Sequence, residues 1–216
     1  MMQSGISSCD SVRCPKRSSV QPFTPHKGIQ FEILSGNVQE ATDLLNRHFP
    51  QVLAEDAEDD VEVTDENVNP SRFEYIAETV DPIHLSLNLR ILAFIESCRT
   101  VPLVYTPPMR SSTSSDVDVT MDPVSPVWRY PKDEDTHQSE LLLCVQKLWM
   151  TANALKKSDD RAIYLKELSN VAGLLAYDVP ETSTIAKYLH QERRDRIAEQ
   201  INSAILCWFI LCVLAA

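Results

Sequence analysis

The sequence predicts an all-α protein, an antiparallel array of helices with long loops and a disordered N-terminus. Three observations carry this reading. Apolar residues recur three and four positions apart in segment after segment, the 216 residues include only four glycines and few alternating runs, and Asp, Asn and Pro stand where helices would begin or stop. Hydrophobic residues make up 44% of the chain, enough for a sizeable core.

Residues 1–25 are rich in Ser and Pro, carry Arg13, Lys16 and Arg17 and show no apolar period, so they read as disordered. Ile29, Ile33 and Leu34 then predict a short helix ending at Gly36. Asn37 is the expected N-cap of the next, with Glu40 completing an N-x-x-E capping box and Val38, Ala41, Leu44, Leu45 and Phe49 forming its buried stripe up to Pro50. Residues 54–66, "AEDAEDDVEVTDE", hold eight acids and no base, so part of the net charge of −11 is concentrated in a solvated loop, 54–69; the competing reading is an acidic docking segment for a basic partner. A short helical turn is expected around Phe73–Ile76.

The stretch "DPIHLSLNLRILAFIESCRT", residues 81–100, is ambiguous on its face. Apolar and polar residues alternate from Ile83 to Ile91, the period of a strand, yet Asp-Pro in front is a helix start. On a helical wheel Ile83, Leu87, Ile91, Phe94 and Cys98 form one stripe, and Leu85, Leu89 and Leu92 gather on nearly the opposite side. Polar residues fill two narrow seams, His84, Asn88 and Arg99 along one and Ser86, Arg90 and Ser97 along the other. A continuous helix over 81–99, capped by Asp81 and packed on two sides, accommodates all of this, whereas a strand would run into "LAFIESC", which has no period of two.

From Val101 to Thr136 prolines and the run "SSTSSD" predict a connecting loop open to phosphorylation, which Trp128 and Tyr130 could anchor. Leu141, Leu142, Val145, Leu148, Trp149, Ala152 and Leu155 predict an amphipathic helix over about 138–157. Asp159 or Asp160 would cap another, with Tyr164, Leu168, Val171 and Leu175 inward, ending before Pro180. The start "QERRDR" reads as a solvated first turn, after which Ile197, Ile201, Ala204, Ile205 and Trp208 form the last stripe. The tail "AILCWFILCVLAA" is apolar all round if helical, and its inner face is expected on the helices at 138–157 and 160–176.

Little in the chain suggests chemistry. The histidines at 26, 48, 84, 137 and 190 include none paired with a carboxylate base at helical spacing, and there is no nucleophile elbow, so no enzyme and no cofactor is expected. No basic stripe with interleaved aromatics suggests nucleic acid. The six cysteines form no C-x-x-C pair and no secretory signal is evident, which fits a cytoplasmic or nuclear protein; Cys98 and Cys144 fall on apolar stripes as small buried hydrophobes. Cys9, Cys14 and His26 have the wrong spacing for a zinc finger.

Two longer stretches resemble a known family. "SGNVQEATDLLNRHFPQVL" followed by "LSLNLRILAFIESCRT", with its Phe-Ile-Glu-x-x-Arg phrase, is similar to a CTLH domain (C-terminal to LisH), and "LKELSNVAGLLAYDVPETSTIAKYL" followed by "IAEQINSAIL" is similar to the CRA domain that comes next. "NSAIL", residues 202–206, resembles the Ran-binding-protein-M-like members, especially fungal ones. The resemblance implies a disordered segment over 1–25, a CTLH-like domain over 26–103, a linker over 104–136, a CRA-like domain over 137–206 and an apolar tail over 207–216. It also implies a non-catalytic scaffold of the kind found in the CTLH, or glucose-induced degradation, E3 ubiquitin ligase complex, with other CTLH/CRA-type subunits as partners. The family's SPRY domain and LisH motif have no counterpart here, so a truncated paralogue, functional or not, or an incomplete gene model is expected. Leu85, Leu89, Leu92, Ile205, Trp208, Phe209 and Leu211 are the candidate partner-facing residues, and the tail could also drive self-association. A membrane-associated tail is the alternative, but the 13 uncharged residues from Ala204 to Ala216 reach about 20 Å as helix against a hydrocarbon core of roughly 30 Å.

Overall fold

The computed structural model describes residues 25–54, 79–107 and 134–214. Six α-helices run in the order α1 (Pro25–Ser35), α2 (Val38–His48), α3 (Pro82–Ser97), α4 (Glu134–Asn153), α5 (Ser158–Ala172) and α6 (Gln191–Leu214). Short 3₁₀ turns follow α2 (Pro50–Leu53) and bridge α5 to α6 (Gly173–Ala176, Pro180–Thr182 and Ala186–Leu189). No strand occurs among the described residues, so the chain is all-α as its pattern predicts. Of the disorder expected over residues 1–25, Pro25 instead opens α1, and residues 1–24, like the turn at Phe73–Ile76 and the anchoring role of Trp128 and Tyr130, lie outside the described residues.

The α1–α2 turn shows why a sequence-level cap can fail. Gly36, at φ 86°, takes the left-handed conformation that a glycine adopts without strain. Gly36 N–H donates to Ile33 O and Asn37 N–H to Glu32 O, the paired bonds of a Schellman ending on α1. With its N–H already committed, Asn37 has none left for Glu40, and its side chain turns back to donate to Glu32 Oε2 at 2.8 Å. Asn37 is the N-cap residue of α2 by position, but the predicted capping box does not form.

α3 lies at the centre. Asp81 caps it by accepting from Ile83 N–H at 2.9 Å, and Pro82 opens it. Both predicted apolar faces are covered: Leu87, Ile91, Phe94 and Cys98 on one side and Leu85, Leu89 and Leu92 on the other are buried, with Ile83 partly so at the open end. α2, α4 and α6 supply the partners, α1 packs on α2 and α6, and α5 pairs with α4.

Three local expectations are corrected. α4 begins at Glu134, inside the segment read as linker, and ends at Asn153; Leu142, assigned to its buried stripe, is exposed because α4 turns this flank away from α3 and α5. Lys157 takes the N-cap position of α5, so Asp159 and Asp160 fall in its first turn, where carboxylates favour the positive end of the helix dipole without capping it. Arg193 and Arg194, read as part of a solvated turn, are 0% and 1% exposed.

Candidate interaction surface

Buried ion pairs fix the start of α6. Arg194 donates from Nε and Nη2 to the two oxygens of Glu96 at 2.9 and 2.6 Å, a fork matched to a carboxylate. Its Nη1 reaches Leu34 O and Leu103 O at 3.1 and 3.0 Å, so one guanidinium ties α6 to the end of α1, to α3 and to the segment after it. Arg99 makes a second fork on Glu96 at 2.8 and 3.2 Å and donates to Leu189 O at 2.6 Å. Burial alone would raise the Glu96 carboxyl, but the bonds and charges of Arg194 and Arg99 outweigh it and hold it below the usual carboxylate range. The Phe-Ile-Glu-x-x-Arg phrase is thus two core side chains followed by the centre of this cluster. One residue earlier on α6, Arg193 Nη1 donates to the fully buried Glu167 of α5 at 2.6 Å, with its guanidinium 5.8 Å from the Tyr188 ring centre.

From this clamp α6 runs outward as an apolar helix. Ile197, Ile201, Ala204 and Ile205 are buried, and Trp208 meets Phe49 edge-on with ring centres 5.8 Å apart. The inner face of the tail therefore rests on Phe49 and the Pro50–Leu53 turn, not on α4 and α5 as its sequence suggested; the Arg194 clamp directs α6 along α1. The opposite face is exposed among the described residues: Leu206, Phe209, Ile210, Leu211 and Leu214 are 50%, 58%, 55%, 61% and 79% exposed. No helix among the described residues is long and apolar enough to cross a membrane.

The candidate partner-facing residues separate accordingly. Leu85, Leu89, Leu92 and Ile205 are buried inside the chain, because the second face of α3 is covered by the chain's own helices. Trp208 is half-buried, and Phe209 and Leu211 project outward beside Leu206, Ile210 and Leu214. A second apolar strip, Leu142, Leu143 and Met150 on α4, is also exposed and escaped the sequence reading, since a helix wheel does not show which flank will be covered.

Features of a reaction centre are sparse by comparison. A shallow cavity of about 130 Å³ between α2 and α3, lined by Thr42, Asn46, Leu53, Ser86, Leu89 and Arg90, falls well short of the roughly 300–1,000 Å³ typical of small-molecule sites. No group of three or more His, Cys, Asp or Glu among the described residues is arranged to hold a metal ion. Cys98 is buried, and desolvation, with a smaller contribution from Cys144, pushes its thiol up to about 12; Cys144 is half-buried and raised for the same reason.

A helical core whose last helix is clamped by buried ion pairs and then presents bare apolar surface defines a protein-interaction module. The chain belongs to the CTLH/CRA C-terminal to LisH motif domain family, which matches residues 22–208. A 43-residue stretch, 20% of this chain, is 44% identical to the Glucose-induced degradation protein 8 homolog of Nematostella vectensis and spans 19% of that protein's length. No solved structure matches the chain.

Proposed function

We propose that this protein is a non-catalytic adaptor in a ubiquitin-ligase assembly of the glucose-induced degradation type, binding other CTLH/CRA-type subunits through the outer face of α6. The observation that carries this reading is the exposed row Leu206, Phe209, Ile210, Leu211 and Leu214 on a helix whose root is held by Arg193 and Arg194. A rigid root and a bare apolar end suit helix-on-helix docking, in which buried apolar area supplies most of the affinity. Family membership and the name of the partial relative support the type of assembly. Within the family, "NSAIL" in α6 favours a Ran-binding-protein-M-like subunit, while the local identity favours kinship with protein 8. The cytoplasm or nucleus is the compartment we assign, in keeping with a buried thiol at Cys98.

Affinity purification of the tagged chain from its native cell, with mass spectrometric identification of what co-purifies, tests the proposal. CTLH/CRA-type subunits and a ubiquitin-ligase component are expected, and the set recovered assigns the subtype. Their absence from a preparation of folded protein would overturn the adaptor reading.

A further inference from the structure

The outer face of α6 is not apolar along its whole length. At about 100° per residue, Asp195, Glu199, Ser203, Leu206, Ile210 and Leu214 fall within an arc of about 100° and form one stripe, every member exposed. Its root is acidic and its tip is bare aliphatic surface, with Ser203 between. Glu199 and Leu206 stand about 10 Å apart along the axis, and the whole stripe is about 28 Å long.

The charge at the root is left in place by the fold. Asp195 accepts a neutral hydrogen bond, from Gln191 Nε2 at 3.2 Å. The Ser203 hydroxyl donates to the Glu199 backbone carbonyl at 2.9 Å, not to its exposed carboxylate. Of the neighbouring arginines, Arg193 and Arg194 are turned inward to Glu167 and Glu96, and Arg196 is half-buried and already engaged within the chain, as is Glu192.

This pattern selects among occupants. A docking helix apolar throughout would press hydrocarbon on the two carboxylates and strip their water without replacing it. A second copy does no better along the full stripe: packed parallel it sets acid on acid, and packed antiparallel it sets each acidic root on the other's apolar tip. Self-association through the tips therefore leaves both roots uncovered. We infer, on the adaptor role proposed for α6, that the occupant of this stripe is an amphipathic partner helix with apolar residues along one end and Lys or Arg along the other, its basic end opposite Asp195 and Glu199. The apolar end supplies most of the affinity, and the charges set register and partner choice.

Two synthetic helical peptides of about three heptads, with the same leucine stripe but either Lys or Glu at one end, test this by fluorescence anisotropy against the full chain. The Lys peptide should bind about tenfold tighter at low salt, and the gap should close toward about 1 M NaCl, where the screening length falls to about 3 Å. Asp195→Lys, Glu199→Lys, a change at two exposed positions, should reverse the preference with helicity retained, while Phe209→Glu, Leu211→Glu should weaken both peptides. Equal binding of the two peptides to wild type, or an unchanged preference in the charge-reversed chain, would overturn the inference. Failure of both to bind, as when a second copy already fills the stripe, would do the same. Because no native subunit is needed, a Lys preference found where affinity purification recovers no CTLH/CRA-type subunit would uphold the stripe and overturn only the assembly.

Discussion

The Arg194 guanidinium engages both oxygens of Glu96, 98 residues away in sequence, while Arg99 engages the same two oxygens from three residues on. Glu96 sits between two cations in the interior, and its bonds to α6 decide where that helix leaves the core.

Removing one side of such a pair strands the other. Arg194→Met should cost about 3–5 kcal/mol in urea-induced unfolding, and the double variant Glu96→Leu, Arg194→Met should lose less than the two single losses summed. A loss under about 1 kcal/mol would mean the pair behaves like a surface salt bridge.

Acid should loosen the same region. The Glu96 carboxyl is held low, and so is that of Glu181, where burial works upward but bonds from Val101 N–H, the Thr100 hydroxyl and Thr100 N–H prevail. A carboxylate lowered by folding stabilises the protein above its unfolded value, about 4.3 for Glu, and that stability drains away as pH falls through the folded value. Melting temperature should therefore decline below about pH 5, less steeply in Glu181→Gln than in the wild type.

Phe94 is enclosed by the core at 1% exposure. Phe94→Ala should cost about 3–5 kcal/mol, read as a shift in the urea midpoint.

The bare end of α6 should make isolated protein associate with itself. Light scattering at matched concentrations is expected to show oligomers for the full chain and a smaller species for Phe209→Glu, Leu211→Glu, or for a chain cut before Cys207, with helicity by circular dichroism otherwise retained.

Thiol reactivity should divide the cysteines by position. In native protein, peptide mapping after brief alkylation should find Cys207, which is exposed, modified and Cys98 untouched, because burial holds the Cys98 thiol near 12.

The apolar skeleton was legible because helix periodicity is local. The two stripes of 81–99 could be drawn from spacing alone, and both are covered. The polar interior was not legible, since "QERRDR" looks like any solvated helix start until Glu96 and Glu167 are brought to it from 98 and 26 residues away. Likewise His84 and Asn88 were placed on one narrow seam, but Tyr164 and Gln200, which bond along it, come from other helices. Caps failed where neighbouring motifs competed, as Asn37 shows by serving the end of α1. For the interaction surface, the tail was singled out by composition; which of its faces stays bare depends on the direction α6 takes from the Arg194 clamp.

The central claim is that this bare face holds the partner subunits. The most direct measurement is the quantity of CTLH/CRA-type subunits recovered with tagged wild type and with the Phe209→Glu, Leu211→Glu variant, at equal bait and equal helicity. Recovery should fall by about tenfold or more in the variant. Equal recovery would contradict the claim and move the docking face elsewhere, with Leu142, Leu143 and Met150 on α4 next to be tested.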